Sequence, residues 1–233
     1  MIPAVLILAS RQSDRIALII FLGLMGLMVV IGIISGVFER RRVRALQSVA
    51  ERLGMNFSKT GEEVLEQAFA SFPLFTTGRY GKAACVLSGL MRRGDRPMLV
   101  FDYRYIIGRG KSRHTRRQTV VAVRLSRARL PQFSLHPEGV FDRVAAAFGF
   151  NDIDLDFAPE FSRRWLLRGS EEQEIRRFFT SRLVQALETE PPICVEGGGD
   201  WLVVYRARRR ISPDALPAFI EKARDLAALF SRS

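Results

Sequence analysis

The densest chemistry in this chain lies in residues 107–117, IGRGKSRHTRR, where Arg109, Lys111, Arg113, His114, Arg116 and Arg117 crowd around Gly108 and Gly110. Cations spaced this closely can cradle a phosphate or lie on a phosphate-bearing surface. Each cation beside an anionic membrane is worth up to about 1 kcal/mol. Gly110-Lys111-Ser112 has the ending of a P-loop. That motif also needs a glycine five residues earlier, so that backbone amides wrap the phosphates, and a helix afterwards. Position 105 is Tyr, and the residues after Ser112 alternate like a strand, so the motif is excluded. A basic run is also what an ordinary solvated turn carries. Both readings stand at this point: a contact with anionic lipid or an acidic partner, or a charged tip kept soluble by its charge.

Other constellations carry less. Asp152, Asp154 and Asp156 have the opening spacing of a calcium loop, but the sharp-turn glycine falls at Phe157 and the bidentate glutamate at Arg163. Outward-facing aspartates pairing with arginines are the simpler reading. Gly197-Gly198-Gly199 precedes a strand rather than a helix, so it is a turn and not a dinucleotide fingerprint. Cys85 and Cys194 lie in apolar strand-like contexts without a CxxC and read as small core residues. His114 and His136 are the only histidines, too few and too dispersed to make zinc ligation with those cysteines a reasonable expectation. A Cys85–His114 nucleophile pair is disfavoured because one residue is strand-like and the other sits at a loop tip. Phe101, Tyr103, Tyr105 and Phe133 look like a base-stacking platform, yet aromatics alternating along a strand more often form core, and no RNP-type motif accompanies them. No serine lies in a GxSxG elbow. No catalytic residue, metal site or cofactor is therefore assigned.

What positions these residues begins with an apolar run from Ile16 to Phe38, IALIIFLGLMGLMVVIGIISGVF, free of charge and followed by Arg40, Arg41, Arg42 and Arg44. A helix needs about 20 such residues to cross a bilayer. The arginine-rich flank favours the cytoplasmic side over the flank with Arg11, Asp14 and Arg15. The expected topology is a short outer N-terminus (1–15), a single span (16–38), a basic juxtamembrane helix (39–54) and a cytoplasmic domain (55–233) at the cell's inner membrane. A cleaved signal peptide fits less well: the run exceeds an h-region, no cation precedes Arg11, and no small-x-small site comes before the arginines. Gly32 and Gly36 form a GxxxG that permits helix pairing, a weak basis for a homodimer. The net charge is +12, of which the first 38 residues contribute +1, leaving +11 on the rest. That excess suits anionic lipid, an acidic partner or nucleic acid; beside an anchor, lipid is nearest, and nucleic acid is the least favoured.

Beyond the span, Val43, Leu46, Ala50 and Leu53 share one helix face that ends at Gly54, available to a second copy or to the chain's own domain. A short strand at 55–58 precedes a helix capped by Thr60 with Glu63. Period-two patterns predict strands near 75–80, 83–90, 97–107 and 117–126, a β-meander with turns at Tyr80-Gly81-Lys82 and Arg93-Gly94-Asp95. Later elements are a strand at 131–135, a helix opened by Pro137, an alternating stretch at 152–157 and a strand at 163–167. A helix capped by Ser170 has the face Ile175, Phe179, Leu183 and Leu187. A hairpin turns on the triple glycine, and a last helix has the face Leu216, Phe219, Ala223, Leu226 and Phe230. Irregular alternation of this kind indicates an α+β domain with helices covering an antiparallel sheet, with possible subdomains at 55–130 and 131–233.

FDYRY at 101–105, GRGK at 108–111, QTVVAVR at 118–124, LPQFSLHPEG at 130–139, PEFSRRWLLRG at 159–169 and VEGGGDWLVVYR at 195–206 together resemble uncharacterised bacterial membrane-anchored proteins with a domain of unknown function. The resemblance covers most of residues 50–206 and implies one α+β domain behind an anchor; it implies no activity or ligand. The functional expectation is a single-pass, non-catalytic interaction or scaffold module. Arg40, Arg41, Arg42, Arg44, Arg109, Lys111, Arg113, Arg116 and Arg117 would contact anionic lipid or an acidic partner. The competing expectation is a membrane-tethered enzyme or binding protein for an anionic or phosphorylated ligand, clamped by Arg113, Arg116 and Arg117, with Asp102 the nearest carboxylate.

Overall fold

Helix-forming apolar residues without a proline or a glycine pair to break them run into a basic segment of similar propensity, and the result is one continuous helix, α1 (Pro3–Leu53). It stops where sequence places the stop: Gly54 takes a left-handed φ of +68°, which a residue with a Cβ resists. The computed structural model describes residues 3–61, 63, 69–90, 97–125, 129–139, 151–188 and 192–231. Two compact units emerge, Met1–Ala45 and Leu46–Ser233. In the first, the apolar side chains from Ile20 to Phe38 are exposed, as a helix surrounded by lipid would have them. This stretch is long and apolar enough to cross a membrane, a measure that a signal sequence would also meet.

The second unit is built on one nine-stranded antiparallel sheet. Its strands are β1 (Asn56–Thr60), β2 (Arg79–Gly89), β3 (Met98–Ile107), β4 (His114–Arg124), β5 (Leu130–Pro137), β6 (Asn151–Asp152), β7 (Trp165–Gly169), β8 (Cys194–Gly199) and β9 (Trp201–Tyr205). Spatial order is β1-β2-β3-β4-β9-β8-β5-β7-β6, so the first four strands form the expected meander and the C-terminal hairpin joins it to β5. Helices are short except the last: α2 (Pro73–Thr76), α3 (Pro159–Arg164), α4 (Glu172–Phe178), α5 (Ser181–Glu188) and α6 (Leu216–Phe230).

Each face of the sheet has its own cover. Phe101, Tyr103 and Tyr105 of β3, Val120 and Ala122 of β4, and Val203 and Tyr205 of β9 form one face, closed by Phe69, Phe72, Leu74 and Phe75 around α2. Rings in that cluster meet edge-on or tilted, or stacked for Tyr103 on Tyr105, at 4.9–6.5 Å, and each buried ring removes enough apolar area from water for about 2–3 kcal/mol. The opposite face carries Phe133, which stacks on Phe230 of α6 and meets Phe179 after α4 edge-on. The aromatics that resemble a stacking platform are thus core, and Phe133 belongs to the other face from its three companions.

Several local expectations change. Residues 73–76 are helical because Pro73 opens a turn and Phe69, Phe72 and Phe75 at spacing three put their rings on one side. Tyr80-Gly81-Lys82 is no turn; β2 runs through it with a register shift, Tyr80 taking a left-handed φ of 55°. Pro137 is the last residue of β5 and Thr60 the last of β1. The alternating aspartate stretch pairs as strand only at Asn151–Asp152; Asp152 then binds Arg168, and Asp156 reaches Arg176 at 3.6 Å. The helix expected after Ser170 is two, broken near Thr180, yet Ile175, Phe179, Leu183 and Leu187 are all buried. Leu46, Val49 and Ala50 are buried within the second unit, so that helix face serves its own domain. The turn at 93–95, most of the helix expected after Thr60 and, from residue 140 on, the helix expected after Pro137 lie outside the described residues.

Candidate anion-binding site

Register concentrates positive charge at one end of the sheet. β3 and β4 pair without interruption from Met98↔Val123 to Ile107↔His114, so the basic hairpin tip extends from the end of the sheet away from Asn56, which pairs with Ser88. The tip is tight. A 3-10 turn spans Gly110–Ser112, and Gly108 adopts φ +77° with the Ser112 carbonyl oxygen 2.0 Å from where a Cβ would stand. Only glycine fits. Replacing it, Gly108→Ala, is expected to cost about 2 kcal/mol and lower the melting temperature by about 5 °C, read by calorimetry of the domain. The tip holds Arg109, Lys111, Arg113 and His114 exposed, with Arg117 exposed and Arg116 half-buried on the strand behind.

Behind the tip, pairing aligns Lys82 of β2 with Arg104 of β3, and Arg104 with Arg117 of β4. Strands lie about 4.8 Å apart, and directly opposed residues share a face. Three exposed cations therefore stand in a row across three strands.

A second basic segment, missed by sequence reasoning, joins this end. Arg206, Arg208, Arg209 and Arg210 follow β9 in the run RARRR. Their loop is tied to β3 and β4: Thr119 Oγ1 donates to Asp102 Oδ1 at 2.8 Å, Ile211 N–H donates to Thr119 Oγ1 at 2.9 Å, and Arg208 N–H donates to Gln118 Oε1 at 3.0 Å. Arg210 reaches Asp102 at 3.7 Å, and the Arg206 guanidinium lies 5.6 Å from the Phe219 ring centroid. Asp102 is the sole carboxylate in β2, β3 and β4. It serves as a bracket for the arginine loop. The signal in sequence was four arginines in five residues after a strand. Arg40, Arg41, Arg42 and Arg44 lie on α1 within the other compact unit, directly after the apolar stretch.

A second constellation is buried. Glu196 of β8 has no exposed surface, and its Oε1 accepts the Tyr205 hydroxyl at 2.7 Å while Oε2 accepts the Leu74 N–H at 3.1 Å. His136 Nε2 of β5 lies 3.5 Å from Glu196 Oε1. Burial alone would push the His136 imidazole down, but hydrogen bonding to Cys194 and Glu196 and the field of those groups outweigh it and raise the pKa to about 10. Burial, reinforced by Glu196, raises the Tyr205 phenol well above its usual value. The group links three strands and the N-terminus of α2. The disfavoured Cys85–His114 pair is not formed, Cys85 being buried and His114 exposed; the structure instead brings Cys194 to His136, with Cys194 almost fully buried among core side chains.

The chain is similar to the mycobacterial trehalose monomycolate transport factor A, TtfA, with a TM-score of 0.60 and 15% identity, covering 82% of this chain and 94% of that one. At that identity the likeness shows the fold alone. No protein-family model and no curated protein matches the sequence.

Proposed function

We propose that this chain is a membrane-anchored, non-catalytic interaction module that docks on anionic lipid through the basic end of its sheet. The apolar run at 16–38 would stay uncut as the single span, and the arginines at 40–44 would keep the domain on the cytoplasmic side of the inner membrane. The observation that carries the reading is the meeting of the 109–117 tip, the Lys82–Arg104–Arg117 row and the 206–210 loop at one sheet end, with Asp102 bracketed among them. A tether raises the effective concentration of lipid near such a surface without any new contact. TtfA is named as a transport factor; by analogy of fold only, an accessory role at a membrane suits this chain better than a catalytic one. Self-pairing through Gly32 and Gly36, where no neighbour lies within 4 Å, is compatible with this role.

Co-sedimentation of residues 46–233 with vesicles tests the proposal. Binding to anionic vesicles that weakens steadily with rising salt, and none to zwitterionic vesicles, is expected. Equal binding to both, or no binding at all, overturns it. Retention of nucleic acid or of an acidic polypeptide in place of lipid would move the same surface to another partner.

A further inference from the structure

The row of opposed cations invites a narrower statement than attraction to negative charge. We propose that Lys82, Arg104 and Arg117 form a cradle for a phosphomonoester headgroup of a membrane lipid, with Tyr80 as the ring that enters the interface beside it. This rests on the lipid-docking reading above and names its ligand.

Geometry is the first argument. Lys82 pairs with Arg104 and Arg104 with Arg117, which places the three on one face across adjacent strands, about 10 Å from first Cα to last. Side chains of this length, rooted that closely, are long enough to reach a single tetrahedral anion. Arginine forks bind phosphate oxygens in pairs, and a lysine adds a point charge. Charge is the second. A diester or a carboxylate brings one negative charge to three cations, whereas a monoester brings between one and two at neutral pH and offers three terminal oxygens.

The surroundings choose among sources of anion. The row one step further into the sheet is Ala84, Asp102 and Thr119, which offers no ring on which a base could stack. The aromatic residues of β3 are buried. An acidic peptide would want apolar pockets between its carboxylates, and that row supplies none. Tyr80, two residues before Lys82, is 71% exposed and held in a left-handed backbone conformation that aromatic residues seldom adopt. An exposed tyrosine beside cations is the pairing found at the level of lipid headgroups, where the ring is half apolar and the hydroxyl wet. The acidic edge near β6 and α4 does not make a second copy of this chain an equal candidate, because Asp152, Glu172 and Glu174 are each paired with arginines of their own edge.

The test uses residues 46–233, a compact unit with its own core, and two vesicle sets matched for surface potential. One carries phosphatidylglycerol, a diester; the other carries phosphatidic acid, a monoester. At least about tenfold tighter binding to the monoester set is expected, the preference of charge-assisted bidentate contacts at equal surface potential. Arg104→Gln with Arg117→Gln should abolish that preference while salt-sensitive binding through the tip persists. Arg104→Lys with Arg117→Lys, which keeps charge and loses the forks, should reduce it. Arg109→Gln with Arg113→Gln should weaken both sets alike and leave the ratio intact. Tyr80→Ser should weaken both sets as well. Equal binding to the two sets by the unaltered domain overturns the cradle and spares the docking reading; absence of binding to either overturns both. Saturable calorimetric binding of inorganic phosphate with no monoester preference on vesicles assigns the row to a soluble phosphate and overturns the lipid source.

Discussion

Replacing Glu196 by alanine is expected to lower the melting temperature of the domain by about 10 °C. Breaking a buried charge pair by removing one partner costs about 3–5 kcal/mol, because the other partner stays buried without its counter-charge. In a domain of this size each kcal/mol moves the midpoint by about 2–4 °C. Glu196 satisfies the Tyr205 hydroxyl, the Leu74 N–H and the charge on His136, so its loss affects three elements at once. Glu196→Gln should fall between wild type and alanine, since an amide oxygen still accepts hydrogen bonds but offers no counter-charge. The same network sets a pH dependence whose sign follows from the raised His136 pKa. The folded pKa of about 10 lies above the unfolded value of 6.5, so the contribution is complete below pH 6.5 and is lost as pH climbs toward 10. Urea unfolding between pH 6 and 10 should show stability declining across that window, and Glu196→Gln should flatten the decline. A flat wild-type profile would mean that His136 is neutral in the folded domain.

The second large effect concerns binding. Reversing Arg109, Lys111 and Arg113 to glutamate together should weaken vesicle binding at least about 100-fold, since cations near an anionic surface contribute up to about 1 kcal/mol each and reversal adds repulsion. All three side chains are exposed at the hairpin tip, so the melting temperature should move little. Loss of both binding and stability would show that the tip holds the fold. Loss of neither would show that its charge is only solvated.

Much of this architecture was readable because the pattern and the packing agree. Leu99, Phe101, Tyr103 and Tyr105 alternate with their neighbours along one face of β3, and the face of α6 from Leu216 to Phe230 is buried as its spacing requires. Gly54 stops α1 by a backbone preference that acts locally. What escaped was decided by contacts between distant segments. Phe75 and Thr76 read as the start of a strand because the period-two pattern begins at Phe75, yet they end a turn of helix, residues 73–76, pinned by Leu74 to Glu196, 122 residues on. A glutamate inside the strand VEGGG was a visible anomaly; its partners on β5 and β9 were not, because sequence does not give register across β8. The basic site was half legible for the same reason. The 109–117 run is one peptide, whereas Lys82, Arg104 and Arg117 become neighbours only once β2, β3 and β4 pair, and Arg206–Arg210 arrive with β9.

The docking account is tested most directly in the full-length protein, anchor included. Cys85 and Cys194 are both buried, so a thiol-reactive fluorophore on Ser112→Cys reports the exposed hairpin tip alone. Reconstituted in nanodiscs with headgroup-linked quenchers, that label should be quenched in anionic bilayers at low salt and recover as salt rises, with no quenching in zwitterionic bilayers. A label equally bright in every lipid would contradict the docking account.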